Sequence, residues 1–374
     1  MTVRLKPDAT YMRVVIAGGG TGGHLYPGIA VARELLVRQP DAQISFAGTA
    51  KGIESRVVPR EGFALDLIRS GGLKGKAIVD RVRGAWLLPL GLADSWRIVS
   101  RRQPDLVIGV GGYSSGPVVL VAALRGVPTM LLEQNAVPGL TNRLLARVVK
   151  AAAVSFDSTQ AFFGSKAFVS GNPVRPEFVS AAGPNKESAL DDQATVTRVL
   201  VFGGSQGAHA INVAMVEAAP QLAARGSHLR LVHQTGDRDL EMVRTAYGKA
   251  GVQADVQPFL YDMGRQLGQA DVIVCRAGAT TLAEITAAGK AAILIPLPTA
   301  TDDHQRRNAE ALAAAGAAEL LLQPEATGAV LADRVLALIG DRARRTQMAR
   351  AARSLARPDA ARVIVDRVLE LVGQ

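Results

Sequence analysis

The 374-residue sequence predicts an α/β protein built from two parallel-sheet domains. The first observation is a glycine-rich segment that occurs twice in register, Arg13-Val-Val-Ile-Ala-Gly-Gly-Gly-Thr-Gly-Gly-His24 and Arg198-Val-Leu-Val-Phe-Gly-Gly-Ser-Gln-Gly-Ala-His209. Each copy has a basic start, four apolar residues, a Gly pair, a small polar loop and a His. The apolar run reads as a parallel strand buried on both faces. The glycines let backbone N–H groups approach an anion where a helix begins. The second observation is that short apolar runs alternate with helical patterns along the chain, as βαβ units require. The third is size: the chain is too long for one ordinary core, and 48% hydrophobic residues suffice to fill two. Two Rossmann-like domains with parallel sheets facing a cleft are the expected architecture.

The elements follow in order. After the first loop, Pro27 to Arg38 has helical periodicity, and Gln43 to Gly48 reads as the second strand. Further strands are expected at Ala64–Ile68, Asp105–Val110, Thr129–Glu133, Ala152–Ser155 and Ala167–Val169. Residues 175–197 lose periodicity around Pro176, Gly183, Pro184 and Asn185, which predicts a linker. Alternation resumes at Arg198, with strands expected at Leu229–Gln234, Asp255–Pro258, Asp271–Cys275, Ala291–Ile295 and Glu319–Leu322. From Asp341 to Val372 the chain is helical and Arg-rich, broken near Pro358. The expected domains are therefore 1–175, a linker 176–197, 198–355, and a terminal helix 356–374 that packs back on the first domain.

Composition narrows the function. A single Cys275, within an apolar strand pattern, rules out a disulfide framework and reads as a small core residue. The segment before Tyr11 has no apolar region of a secretory signal, so a reducing cytoplasm is expected. No run reaches the ~20 apolar residues of a spanning helix. A net charge of +10 points to a polyanionic partner: nucleic acid, an anionic membrane or a phosphorylated substrate. Between Arg69 and Arg102 there are eight basic residues, including Arg81 and Arg83, against Asp80 and Asp94, interleaved with Trp86, Leu87 and Trp96. That mixture suits an interfacial membrane segment, and it also suits a core-facing helix with a basic outer face.

Gly18-x-Gly20-x-x-Gly23 satisfies the dinucleotide fingerprint, but the second strand ends in Ala47-Gly48-Thr49, without the carboxylate that would hold a ribose. No Gly-Lys-Ser/Thr ending supports a Walker loop. A second glycine turn, Gly111-Gly112-Tyr113-Ser114, follows another strand at the same sheet edge, and two adjacent amide cradles suit a pyrophosphate. His24, at a helix start, reads as a general base or as a capping or phosphate-contacting residue. Glu284 falls in the first two turns of a helix opening at Ala279, where it can accept from ribose hydroxyls or serve as an ordinary helical Glu. The polar loop 296–308 has amides and hydroxyls of the kind that read sugar hydroxyls. Consecutive Asp302, Asp303 and His304 do not make a metal site, and no metal is expected.

Six ordered segments carry a family resemblance: Gly18–His24, Gly111–Pro117, Glu133-Gln-Asn135, Gly171-Asn-Pro-Val-Arg175, Gly203–Gly207 and Cys275–Glu284, followed by Gln305 and Asn308. Over nearly the whole chain they resemble the bacterial UDP-N-acetylglucosamine:N-acetylmuramyl-(pentapeptide) pyrophosphoryl-undecaprenol N-acetylglucosaminyltransferases. The resemblance implies a GT-B fold and inverting transfer of N-acetylglucosamine to the C4 hydroxyl of lipid I, giving lipid II for peptidoglycan synthesis, cell shape and division. UDP-N-acetylglucosamine is then a substrate and no cofactor is required. By the same resemblance Thr21, Gly22, Gly23 and Asn135 approach the donor sugar, while Arg175, Ser205 and Leu260 hold UDP. Ala279, Thr280, Thr281, Leu282, Ala283 and Glu284 carry diphosphate and ribose, and Gln305 reads the sugar. Gly111, Gly112, Tyr113 and Ser114 are acceptor-side candidates.

The implied location is peripheral, on the cytoplasmic face of the plasma membrane. The implied partners are lipid I, the anionic membrane surface and other cell-wall synthesis and division proteins, with no nucleic acid. Two features depart from the pattern: Leu132 stands where members often have His before Glu-Gln-Asn, and the segment to about Tyr11 extends beyond shorter members. From the residues alone, another GT-B transferase or a sugar-nucleotide epimerase fits equally. A basic nucleic-acid-binding protein fits the charge but not the 4% aromatic content.

Overall fold

The computed structural model describes residues 11–70, 78–180, 196–204, 206–224 and 228–373, with the side chains of 78–87, 176, 180 and 301 outside that set. The chain divides into two units, Met1–Pro173 with Asp359–Gln374, and Val174–Pro358.

In the first unit, β1 (Arg13–Ala17), α1 (Gly22–Arg38), β2 (Gln43–Gly48), α2 (Glu54–Arg60), β3 (Ala64–Leu67), α3 (Ile78–Arg102) and β4 (Leu106–Gly109) follow one another. Then come α4 (Ser115–Leu124), β5 (Thr129–Glu133), α5 (Leu140–Leu145), β6 (Ala151–Val154), α6 (Asp157–Phe163) and β7 (Ala167–Val169). The strands pair in parallel in the order β3-β2-β1-β4-β5-β6-β7. Alternation along β1 explains the double burial: Val14 and Ile16 face one core with Leu25 and Leu35 of α1, while Val15 and Ala17 face another with Val118 and Val119 of α4.

The second unit opens with α7 (Pro176–Ser180), β8 (Thr197–Phe202), α8 (His209–Ala223), β9 (Leu229–Gln234), α9 (Leu240–Ala250), β10 (Ala254–Gln257) and α10 (Met263–Gln269). It continues with β11 (Val272–Cys275), α11 (Ala279–Ala288), β12 (Ala291–Leu294), α12 (His304–Ala314), β13 (Glu319–Leu320), α13 (Gly328–Gly340) and α14 (Arg342–Ser354). Its parallel order, β10-β9-β8-β11-β12-β13, repeats the first unit's topology around β8. The last helix, α15 (Ala360–Gly373), returns to the first unit, where Ile364, Val365 and Val368 enter the core beneath α1 and Asp366 pairs with Arg38 at 2.8 Å.

The basic residue that starts each repeat has a shared structural use. Arg13 N donates to Asp105 Oδ2 and Arg198 N to Asp271 Oδ2, both at 2.8 Å, and each side chain reaches a Gln, Gln103 or Gln269. Both clasps tie the start of a central strand to the strand beside it.

The domain limits differ from expectation, while helix α1 starts at Gly22 and so carries His24 in its first turn, as expected. Pro27 lies one turn inside it, forfeiting a single backbone donor. The unit boundary falls after Pro173, so Arg175 belongs to the second unit, and 176–180 form a helix packed on α10 and α11 where a linker was expected. The return to the first unit begins at Asp359, where 356 was expected. The Arg-rich stretch has local uses: Arg345 donates to the Leu338 and Ile339 carbonyls at the end of α13, and Arg353 lies over Gly289 at the end of α11.

Candidate functional site

In the first unit the loop after β1 and the loop after β4 touch through their backbones. A Cβ on Gly18 would stand 2.4 Å from the Gly111 carbonyl oxygen, and one on Gly112 would stand 2.7 Å from that of Gly19. All four glycines have positive φ, so both sterics and backbone conformation demand glycine here. Gly111 also abuts the His24 ring, at 2.9 Å from Nδ1 for a hypothetical Cβ. Thr21 is the extended, exposed N-cap of α1, and Gly22, Gly23 and His24 form its first turn. Tyr113 is exposed and Ser114, the residue before α4, is buried.

His24 is held by Gln134. The Gln134 amide nitrogen donates to the Val110 carbonyl at 3.1 Å, and its Oε1 stands 3.3 Å from His24 Nδ1. A carbonyl accepts only, so the amide orientation is fixed and Nδ1 must be the imidazole donor. The lone pair of the neutral ring therefore resides on Nε2. Glu133 organises the neighbouring turn: its buried carboxylate accepts from Asn135 N and Nδ2, Gly139 N and Asn142 Nδ2, at 2.9 to 3.2 Å. Glu133-Gln-Asn135 is thus a turn organiser, a His holder and an amide tied back to the organising carboxylate. Leu132, 2% exposed, points into the core beneath α1.

Sequence reasoning missed Glu54. Its fully buried carboxylate accepts from Gly20 N at 2.7 Å and from Thr49 N and Oγ1 at 2.8 Å each. The carboxylate absent from the end of β2 is supplied six residues later, from the first turn of α2, but it is engaged by the protein's own backbone. Only chain folding brings it there, and no spacing rule announces it.

In the second unit, Arg175 and Glu284 come together: Arg175 Nη2 donates to Glu284 Oε1 at 3.3 Å, Nη1 lies 3.1 Å from Glu177 Oε1, and the guanidinium stacks on Phe178. Burial pushes the Glu284 carboxyl up to about 7; Arg175 pulls it back and Glu177 raises it further. Ala279, Thr280 and Thr281 form the half-exposed first turn of α11, with Leu282 buried behind them and Ala283 half-buried. Their N-terminal amides belong to a helix of ten residues with no acidic residue in its first turn, a favourable place for an anion. Cys275, beneath that turn, is fully buried and its thiol is held neutral.

Gln305 Oε1 accepts from Leu297 N at 3.0 Å, and the preceding Asp302 and Asp303 both take left-handed conformations. Backbone strain of this kind gathers at ligand-binding loops. Leu260 is buried between exposed Phe259 and Tyr261 after β10. Ser205 lies outside the described residues. His209 does not repeat the surroundings of His24: its Nδ1 pairs with Asp239 at 2.9 Å, next to a buried chain from Asn212 through His233 to Tyr247. Burial pushes His233 down to about 3, so it stays neutral.

Of the basic, Trp-bearing segment, Arg81, Arg83, Trp86 and Leu87 fall on α3 with side chains outside the described set. Farther along, Trp96 is 56% exposed beneath the Arg125 guanidinium, and Leu88, Leu90 and Leu92 are exposed. Arg69, Arg101 and Arg102 are engaged by Asp94 and Asp66. Among the described residues no helix is long and apolar enough to cross a membrane, and no group of three His, Cys, Asp or Glu could hold a metal ion.

Comparison with known proteins gives these sites a family. The glycosyltransferase family 28 N-terminal domain matches residues 14–154, and the family 28 C-terminal domain matches 198–364. A UDP-N-acetylglucosamine--N-acetylmuramyl-(pentapeptide) pyrophosphoryl-undecaprenol N-acetylglucosamine transferase of Pelobacter propionicus is 47% identical, covering 96% of this chain and 99% of its own. One from Anaeromyxobacter sp. (strain K) is 48% identical over 96% and 93%. The crystal structure of Acinetobacter baumannii MurG, 33% identical, superposes with a TM-score of 0.79 over 96% of this chain and 99% of its own. With two Rossmann-like units and these matches, the chain has the GT-B fold and belongs to glycosyltransferase family 28, among the N-acetylglucosaminyltransferases named for UDP-N-acetylglucosamine and pyrophosphoryl-undecaprenol-linked N-acetylmuramyl pentapeptide.

Proposed function

We propose that this chain transfers N-acetylglucosamine from UDP-N-acetylglucosamine to the C4 hydroxyl of the N-acetylmuramyl unit of undecaprenyl-pyrophosphoryl-MurNAc-pentapeptide, forming lipid II and UDP. Near-full-length identity of 47–48% to transferases of that name is the observation that carries the reading. In the step, the acceptor C4 oxygen forms a bond to the anomeric carbon as the bond from that carbon to the diphosphate oxygen breaks. UDP takes the electron pair, the hydroxyl proton passes to a base, and the anomeric configuration inverts.

The first unit serves the acceptor. His24, with Nδ1 committed as a donor to Gln134 and its lone pair on Nε2, is the proposed base, beside the Gly111–Ser114 turn. Thr21, Gly22, Gly23 and Asn135 are the first unit's contacts to the transferred sugar. The second unit serves the donor. The first turn of α11 faces the diphosphate, whose negative charge grows as it leaves, and Arg175 supplies a cation. Glu284 accepts from the ribose hydroxyls, Leu260 lies by the uracil, and Gln305 reads the sugar. No cofactor takes part in this scheme.

The lipid acceptor confines the enzyme to the cytoplasmic face of the membrane, where the α3 segment docks and where other cell-wall synthesis and division proteins are partners. Incubation with labelled UDP-N-acetylglucosamine and a lipid I analogue tests the reading. A labelled, butanol-extractable product is expected, and labelled product that needs no lipid acceptor, or none at all, overturns it.

A further inference from the structure

We propose that Glu54 is a positioning residue whose carboxylate serves as a built-in anion. It fills the amide cradle of the first glycine loop, fixes the loop that presents His24, and closes that loop to a nucleotide phosphate. A glycine loop between strand and helix receives phosphate by pointing N–H groups at its oxygens. Here a carboxylate oxygen already stands 2.7 Å from Gly20 N, and the other oxygen is held by Thr49 N and Oγ1. The chain is cut back to make room for it: a Cβ on Gly19, Gly48 or Gly52 would stand 2.5, 2.5 or 2.1 Å from an atom of Glu54. A phosphate on the same amide would have to displace this carboxylate, or lie against its negative charge in a site where water screens little.

The duplicated loop supplies the comparison. In the second unit the acid near the corresponding edge, Asp239, is engaged by His209 and Asn212. Among the described residues no carboxylate accepts from the N–H groups of Gly203, Gly204, Gln206 or Gly207, and Gly207 N donates to the Gly204 carbonyl. Among the described residues one copy of the repeat thus carries its own anion and the other does not, so the nucleotide diphosphate is left to the second unit. In the first unit the filled loop becomes a platform. Gly18 and Gly19 pack directly on Gly111 and Gly112, and Gly111 packs on the His24 ring, so the Glu54 bond to Gly20 sets where His24 stands.

The inference relies on the transferase reading only for its kinetic assay. Glu54→Gln keeps the size of the side chain but turns an N–H₂ toward Gly20 N or toward the Thr49 donors, so it should not rescue. Expected for this variant are a kcat at least tenfold lower, a UDP Kd within twofold of wild type, a similar melting temperature, and faster hydrogen exchange at the Gly20 amide. Calorimetric titration of the wild-type chain should give one UDP site.

Wild-type kcat together with unchanged Gly20 exchange in Glu54→Gln overturns the positioning role. A large fall in melting temperature with parallel losses of UDP affinity and kcat also overturns it, by making Glu54 a general support. Two UDP sites on the wild-type chain overturn the closed cradle. Should Glu54→Gln not fold, Glu54→Asp, one methylene too short to span Gly20 and Thr49, carries the same comparison. If wild-type protein transfers no sugar to a lipid I analogue, the transferase reading fails, and Gly20 exchange still decides the role of Glu54.

Discussion

Replacing Glu284 with Ala should weaken UDP binding about 10- to 100-fold. Charge-assisted hydrogen bonds to a carboxylate are each worth ~1.5–3 kcal/mol, and ~1.4 kcal/mol is tenfold in affinity. Little of that loss returns through Arg175, which is 39% exposed and keeps Glu177 at 3.1 Å when Glu284 is gone. The raised carboxyl adds a pH signature. With a folded value of about 7, Glu284 passes from acceptor to neutral acid as pH falls from 8 to 6, so UDP affinity should fall with it. The phosphate of UDP itself titrates near ~6, so the diagnostic quantity is the difference between the profiles of wild type and Glu284→Gln.

The stability linkage has a definite sign. Folding raises this carboxyl from an ordinary 4.5 to about 7, so the folded chain binds its proton more tightly. The contribution to stability is present below the unfolded value and lost as pH rises through about 7. Glu284→Gln should therefore melt above wild type at pH 8 in the absence of nucleotide, and close to it near pH 4.5. Calorimetry with UDP from pH 6 to 8.5 and parallel melting curves make the test. A Kd within twofold of wild type in folded Glu284→Ala would refute the ribose role.

Three further outcomes are expected. His24→Ala should lower kcat by ~10²–10⁴ with UDP affinity unchanged, and Gln134→Ala should lower it less by releasing the tautomer, both read by steady-state kinetics beside calorimetry; near-wild-type turnover in His24→Ala removes it from the mechanism. Wild-type protein should cosediment with phosphatidylglycerol vesicles and release as salt rises, and Trp86 and Leu87 to Ser, or Arg81 and Arg83 to Glu, should reduce this without altering UDP binding; equal sedimentation of the variants moves the docking surface elsewhere. Ile364→Ala, deleting a fully buried side chain beneath α1, should destabilise the first unit by ~2–5 kcal/mol in denaturant unfolding. An unchanged midpoint would mean that α15 is dispensable to that core.

What the sequence determined by itself was whatever is local or repeated. Apolar runs bounded by glycine predict parallel strands because a strand buried on both faces needs consecutive apolar residues, and β1, β4, β5, β8 and β11 formed accordingly. The in-register repeat showed two equivalent halves, down to Arg13 and Arg198, whose matching clasps to Asp105 and Asp271 only the fold displays. The glycines of the first two loops were legible too, since positive φ and backbone contact leave few other residues possible.

Tertiary structure alone decided the partners. That Glu284 meets Arg175, 109 residues away, depends on where α7 packs, and burial raises its carboxyl pKa in spite of that cation. That His24 is a donor at Nδ1 depends on Gln134, and that the first glycine loop is already satisfied depends on Glu54. Hydrogen bonds between residues distant in sequence leave no periodicity or spacing behind, because the distance that matters is set by the whole sheet rather than by neighbouring φ and ψ. The linker expectation failed at 176–180 for the same reason: a five-residue helix with a proline and little periodicity of its own is held by packing on α10 and α11.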